Sequence, residues 1–551
     1  MKKIYNVIVG FVIVVFANGC YDDKGNYDYR SVNDLEIEIP EAKVRMPKTD
    51  TLVVTLTPKL TQTLVQSETN LAFEWLKLKR DAKIGSERII DYEPYATSKA
   101  CDVKVEPNNP ESIGMMLIVT DAKTGQKWYK LGKVAVIKPL NPAWLVLQES
   151  ATQQAMVGAV EGDADGFFAY TDVFKSETGK PLTLTGKPVA IAARGQYGYR
   201  QPPFTTTFAN LTIATNREIT TFDPSTLKIK YGTNKILFEN ALKSIPVNLS
   251  YYRMEKKGEI FVTDKKAYFA YDDGYCVPYS IFDTRVEGEN TKREVFRPSC
   301  LVTFGSYALV YNPETKSFRI GNIFSTMNDY VMTSFYKSKF IRSGSQWKDN
   351  KPLVLRALNE DTEGNYAFDP HHIDEANRLL DIVNGGSGSK YAYAMMTTDG
   401  SSMLTVYMFS ADYNEPMCKG KYSVSLPPTI DLGTARFAAS SAFSAHFVFM
   451  AAGNSVYRID MERQKVEVIY TYEMSTSAKI ACLKFREAND SDNGLGMILG
   501  FGINTDNGKG YIGELRLNVA GDVERAEKSS FIFDDPANSF GKIIDITYNH
   551  E

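Results

Sequence analysis

The chain has 551 residues, 43% of them hydrophobic and 23% charged, which is enough apolar material for one large core or two or three smaller ones. A formal net charge of −3 gives no cationic field to attract nucleic acid or anionic lipid, so neither is an expected partner. Four histidines and six widely spaced cysteines leave little from which to build a zinc site or a disulfide framework.

Lys2 and Lys3 precede an apolar run over 7–17 that ends on small residues, the pattern of a secretory signal over 1–19. The run is shorter than the roughly 20 apolar residues that span a bilayer, and no later stretch approaches that length. Ala17-Asn18-Gly19-Cys20 resembles a bacterial lipobox, with alanine where leucine is commonest. That resemblance implies a Cys20 that is diacylated on its thiol and becomes the first residue of the mature protein. Tyr21-Asp22-Asp23 resembles the short acidic export signal of Bacteroidota surface lipoproteins, which makes Asp22 and Asp23 candidates for directing the anchored protein to the exterior of the outer membrane. A solvated tether would be acidic too, and residues 20–33 read as a polar, glycine-containing tether of this kind.

From 34 to 140 the sequence predicts strands divided by polar turns. LEIEI at 35–39 alternates, LVVTLT at 52–57 is rich in β-branched residues, and LAFEW at 71–75 and GMMLIVTD at 114–121 follow. Strands at this spacing predict a β-sandwich. The F-x-W strand and the V-T-D strand with its K-T-G turn resemble a PKD-like, immunoglobulin-type domain, in which Phe73 and Trp75 flank a core position while Asp121 and Gly125 set a hairpin.

A second region, 141–551, opens on WLVL at 144–147. Strand–turn–strand passages around Asp223, Asn312 and Asp460 echo one another at separations of 89 and 148 residues, about two and three times a unit of 45 to 50. Strand-like segments at both ends, 144–147 and 543–548, would close a ring. The expected fold class is therefore all-β, an N-terminal immunoglobulin/PKD-like β-sandwich followed by a β-propeller of seven or eight blades. One short helical insertion is expected within 369–383, with Asp369 as N-cap, Pro370 in the first turn and Gly385 beyond the end.

Motifs for chemistry are scarce. His371 and His372 are adjacent and would diverge around a helix, which argues against a shared metal, and 163–166 and 490–494 begin like calcium loops but read better as hairpin turns. No metal and no cofactor is expected. A bridge between Cys276 and Cys300 stays open, as does a pair of carboxylates acting on a glycan. Aromatic side chains flanked by arginine and amide groups suit sugar rings or an extended peptide, and the best such stretch is a predicted loop with Arg194, Tyr197, Tyr199, Arg200 and Phe204 as candidate contacts. Weaker candidates of the same kind lie at 271–275 and 343–347.

The whole chain resembles the PKD-like surface lipoproteins of Bacteroidota, through its lipobox, its CYDDKGNYDY start, its PKD-like domain and the W-L-V-L strand that opens the second region. The resemblance implies a lipid-anchored outer-membrane protein facing the exterior, touching the membrane through its N-terminal anchor only. It further implies a non-catalytic accessory role beside SusC/SusD-like proteins in TonB-dependent uptake of a glycan or peptide. It carries over no catalytic residue, and a propeller-fold polysaccharide hydrolase or lyase at the cell surface is the alternative.

Overall fold

The computed structural model describes residues 33–65, 67–84, 87–107, 112–201, 204–232, 248–255, 258–263, 266–271, 284–285, 293–294, 299–305, 307–322, 332–333, 342–343, 346–347, 367–385, 390–412, 415–486, 495–534 and 539–550. The signal, residues 20–32 of the tether with Cys20, Asp22 and Asp23, Cys276, and the stretches 272–275, 344–345 and 490–494 lie outside them. The chain forms two compact units, one ending at Val136 and the other beginning at Ile137. Among the described residues no helix is long and apolar enough to cross a membrane, which says nothing of a β-barrel.

In the first unit a five-stranded sheet runs in the order Ala42–Arg45, Lys127–Ile137, Ile113–Asp121, Leu71–Ile84, Glu87–Ala96, its last four strands antiparallel to their neighbours. Two small sheets complete the unit, Leu35–Glu38 with Lys59–Gln62 and Leu52–Leu56 with Cys101–Val105. Alternation places Met115, Leu117 and Val119 from one layer against Leu56, Cys101, Val103 and Val105 from the other, a β-sandwich. Trp75 is itself the centre of this core, fully buried, its indole N–H donating to the carbonyls of Ser98 (3.1 Å) and Lys99 (3.2 Å). Phe73 packs against the core from a half-buried position. The hairpin after Ile113–Asp121 is set by Asp121, whose carboxylate accepts from the backbone N–H of Lys123 (2.7 Å) and Thr124 (3.1 Å), and by Gly125 at φ 73°.

The second unit is a succession of antiparallel sheets. The first joins Gly166–Tyr170, Ala155–Asp163 and Ala143–Glu149 to the last strand of the chain, Lys542–Asn549. The second runs Pro188–Gln201, Phe204–Thr215, Ile219–Phe222, Ile229–Gly232, and the third Leu249–Glu255, Gly258–Thr263, Lys266–Tyr271. The fourth runs Cys300–Phe304, Tyr307–Asn312, Ser317–Asn322, Met332–Thr333, and the fifth Asn377–Asn384, Tyr391–Thr398, Met403–Asp412, Glu415–Ser425. The sixth runs Arg436–Ala438, Phe447–Ala452, Ser455–Asp460, Lys465–Thr471, and the seventh Lys479–Phe485, Ile498–Asn504, Gly510–Arg516, Ser530–Phe533. Apolar clusters lie between neighbouring sheets, so a strand such as Ala143–Glu149 is apolar on both faces and buried along nearly all its length.

This corrects the expected fold class. The β-sandwich stands, but the β-propeller does not: no sheet among the described residues closes or curls on itself, and each four-stranded sheet is open. The repeat spacing had mixed unlike positions. Asp223 and Asp460 stand at the end of the third strand of their sheets, whereas Asn312 stands at the end of the second. What the three share is a turn, a carboxylate or amide oxygen capping a backbone N–H and a residue at positive φ four places on: Leu227, Lys316 and Gln464.

The helical insertion is corrected as well. Asp369 caps the N–H of His371 (2.9 Å) as a helix start would, but Asn377–Asn384 is a strand. Its apolar residues recur at a spacing of three because a β-bulge falls between Leu379 and Asp381. Leu379 and Ile382 thus meet one core, and Leu380 and Val383 the core on the opposite face. The α-helix present among the described residues is a different one, the short Val173–Thr178, capped by the Asp172 carboxylate and ended by Gly179 at φ 76°; Leu432–Thr434 and Leu495–Met497 are single 3-10 turns.

Candidate functional site

The second unit contains a cavity of about 310 Å³ lined by one edge strand from each of several sheets: Pro188–Gln201, Leu249–Glu255, Asn377–Asn384, Arg436–Ala438, Lys479–Phe485 and Lys542–Asn549. Alanines at 190, 192, 193, 438, 439 and 481 keep its wall thin, and Tyr251, Tyr252 and Tyr548 supply aromatic faces. Five charged side chains enter it: Arg253, Asp381, Arg436, Lys484 and Asp545.

Strand geometry dictates how these are held. Asp545 and Thr547, two residues apart and so on one face of their strand, meet the N–H groups of Ile191 and Ala193, also two apart. The Asp545 carboxylate accepts from Ile191 N–H at 3.0 Å, and the Thr547 hydroxyl accepts from Ala193 N–H at 3.0 Å, which satisfies an edge that no strand covers. Lys484 donates to the same Asp545 oxygen at 2.8 Å and to the Ile191 carbonyl at 3.2 Å. Arg436 is held by three carbonyls, those of Ala481 (3.0 Å), Ala435 (3.0 Å) and Thr434 (3.3 Å). Arg253 donates to the Asn384 side-chain oxygen at 2.7 Å, and Asn384 in turn donates to the Thr303 carbonyl at 2.8 Å.

Asp381 lines the same cavity as the two arginines. Burial pushes its carboxyl up to about 6, although Arg253, the Ile382 N–H at 2.8 Å and Arg436 all favour the ionised form. A carboxyl that titrates near neutrality can give or take a proton, whereas Asp545 is committed to Lys484 and to the backbone. Behind the cavity wall a buried pair steadies Tyr548: Arg486 lies over its ring, 4.1 Å from the centroid, and is paired to Glu514, which also accepts from the Trp144 indole N–H. The Tyr548 hydroxyl is pushed up to about 12 by burial.

The sequence-derived contact residues lie elsewhere along one of these strands. Arg194, Tyr197, Tyr199 and Arg200 belong to Pro188–Gln201 and Phe204 to Phe204–Thr215, so the supposed loop is a β-hairpin, Tyr197 opposite Phe208 and Gln201 opposite Phe204. The near end of that strand lines the cavity and a bulge separates Arg194 from Tyr197. At 163–166 the calcium-like start is a tight hairpin, with Asp163 capping the Asp165 N–H (2.9 Å) and Lys528 paired to Asp165 (2.9 Å). Among the described residues no group of three or more His, Cys, Asp or Glu is placed to hold a metal. Cys300 is a free, buried thiol. The cavity residues were missed because they fall far apart in sequence. Their one local signal is a charge between apolar neighbours in a doubly buried strand: Leu380-Asp381-Ile382, Leu483-Lys484-Phe485, Ile544-Asp545-Ile546.

The family model described as "PKD-like family" matches residues 20–188, and a PKD-like domain is present in the chain. No curated protein matches. Among solved structures, the chain is similar to a quinonprotein alcohol dehydrogenase-like protein of Bacteroides thetaiotaomicron, with 11% identity over 92% of this chain and 94% of that one and a TM-score of 0.37. It is also similar to Sqt1 of Chaetomium thermophilum bound to the N-terminus of the ribosomal protein L10, with 12% identity over 70% and 88% and a TM-score of 0.35. At these scores neither likeness bears on function.

Proposed function

We propose that this PKD-like-domain protein is a lipoprotein of the outer surface whose second unit takes a glycan or short peptide into the cavity bounded by Arg253, Asp381, Arg436, Lys484 and Asp545. The observation that carries the reading is the cavity itself: rigid strand edges, aromatic faces and fixed charges converging on one concave space. The lipobox at Cys20 and the acidic pair Asp22 and Asp23 support the anchored, outward-facing placement.

Two uses of a bound ligand follow. In one the protein turns nothing over and acts as an accessory of a SusC/SusD-type, TonB-dependent importer, a role supported by the sequence resemblance alone. In the other it is a polysaccharide hydrolase or lyase. A specific observation favours this second use, since burial in the cavity pushes the Asp381 carboxyl up to about 6 against the lowering pull of Arg253 and Arg436, within reach of proton exchange near neutral pH.

One experiment separates them. Purified protein is incubated with a panel of plant and host polysaccharides, and reducing ends and unsaturated products are followed. Turnover that vanishes in Asp381→Asn supports the enzyme. Saturable binding without product, together with recovery of a SusC/SusD pair when the protein is pulled from outer membranes, supports the accessory. Partition of Cys20→Ala into the detergent phase at wild-type level would remove the lipid anchor from either version.

A further inference from the structure

We propose that the ligand of this cavity is a sugar acid, its carboxylate received by Arg253 and Arg436, and that Asp381, which lines the same cavity, opposes that carboxylate by like charge when it is ionised. The inference rests on the cavity being the ligand site and adds the charge class of what enters it.

Three cations and two carboxylates line the space, but they do not all count equally. Lys484 and Asp545 cancel each other at 2.8 Å, and the same Asp545 oxygen is held by the Ile191 N–H. What remains in the lining is one carboxylate and two guanidiniums, a surplus of positive charge. Both guanidiniums are oriented before a ligand arrives, Arg436 by three backbone carbonyls along its Nε and one terminal nitrogen, Arg253 through the relay to Asn384 and Thr303. A planar fork fixed in this way suits a carboxylate better than a neutral hydroxyl, and little side-chain freedom is left to lose on binding. The volume, about 310 Å³, is at the small end of ligand cavities, and tyrosines line it, which favours a short sugar over an extended chain.

Asp381 makes the site responsive to pH. The charged and titratable groups that face it from neighbouring strands are Arg253, Arg436 and the buried Cys300 thiol, with Lys484 and Asp545 completing the charges of the cavity. When Asp381 takes up a proton, its negative charge no longer opposes the ligand, while a sugar carboxylate, which titrates near 3 to 4, stays ionised. Affinity for the acid therefore rises as pH falls through about 6.

The test is calorimetric titration of D-glucuronate, its neutral counterpart D-glucose and the dipeptide Ala-Ala into the wild type, Arg436→Gln and Asp381→Asn. In the wild type, glucuronate is expected to bind about tenfold more tightly than glucose and about tenfold more tightly near pH 5 than near pH 7.5. Asp381→Asn should show the low-pH affinity at both pH values, and Arg436→Gln should lose about tenfold for glucuronate alone. Should Arg436→Gln fail to fold, the gain in Asp381→Asn still decides. Equal binding of glucuronate and glucose would overturn the inference while leaving the cavity as ligand site. Preference for Ala-Ala would overturn the sugar class, and absence of binding by all three would overturn both inference and site.

Discussion

Replacing Asp381 with asparagine should stabilise the second unit at neutral pH and have no effect in acid. The side chain keeps its shape and its acceptor for the Ile382 N–H but cannot ionise. In the folded chain burial moves this carboxyl from an ordinary 3.8 to about 6. A displacement of about two units corresponds to about 3 kcal/mol between the protonation states, and partial solvent screening of this half-buried group reduces it to about 1–3 kcal/mol. The folded form holds the proton more tightly than the unfolded form, so the associated stability is fully present below about pH 4 and is lost as pH rises through about 6. Asparagine suffers no such loss. Thermal melts of both proteins near pH 7.5 should differ by a few degrees in favour of the variant, and near pH 4 they should coincide. A variant no more stable than wild type at the higher pH, or equally stabilised at both, would refute the reasoning.

The Glu514→Ala change strands the Arg486 guanidinium between Trp144 and Tyr548 and should cost about 3–5 kcal/mol in urea unfolding, whereas Glu514→Leu with Arg486→Met should restore most of it. A methyl group at Gly500 would overlap the edge of the Trp144 ring, so Gly500→Ala should cost about 1–3 kcal/mol and perturb the fluorescence of that tryptophan. In the first unit, Asp121→Ala removes the acceptor for the Lys123 and Thr124 N–H groups and should lower its melting temperature. Those backbone hydrogen bonds, first that from Lys123, hold the Asp121 carboxyl below its ordinary range, so the gap between wild type and variant should close as pH falls through that carboxyl's titration.

The first unit was legible because its information is local: alternating strands such as Leu35–Glu38 and a turn whose aspartate and glycine stand four apart. Even there, which of Phe73 and Trp75 fills the core depended on what lies across the sandwich. Within 369–383 the local signals pointed the wrong way. A capping aspartate, a proline and apolar residues three apart spell a helix, yet a β-bulge gives that spacing to a strand buried on both faces. The glycine- and proline-bearing stretch 194–204 read as a loop, but pairing with Phe204–Thr215 supplies backbone partners that extend both strands to its tip. Contacts such as Lys484 with Asp545 and Arg253 with Asn384 join residues brought together only when separate sheets pack, so no window of sequence could show them. What could be seen was a single charge between apolar neighbours, which in a doubly buried strand must find a partner.

Hydrogen exchange followed by mass spectrometry, with and without saturating D-glucuronate, tests most directly whether the cavity is the ligand site. Protection should appear together in the strands that line it, at 189–193, 250–253, 381–384, 436–439, 481–485 and 544–548, and should be absent from the same strands in Arg436→Gln. Protection confined to the hairpin carrying Tyr197, Tyr199 and Phe204, with the cavity strands exchanging as in the free protein, would contradict it.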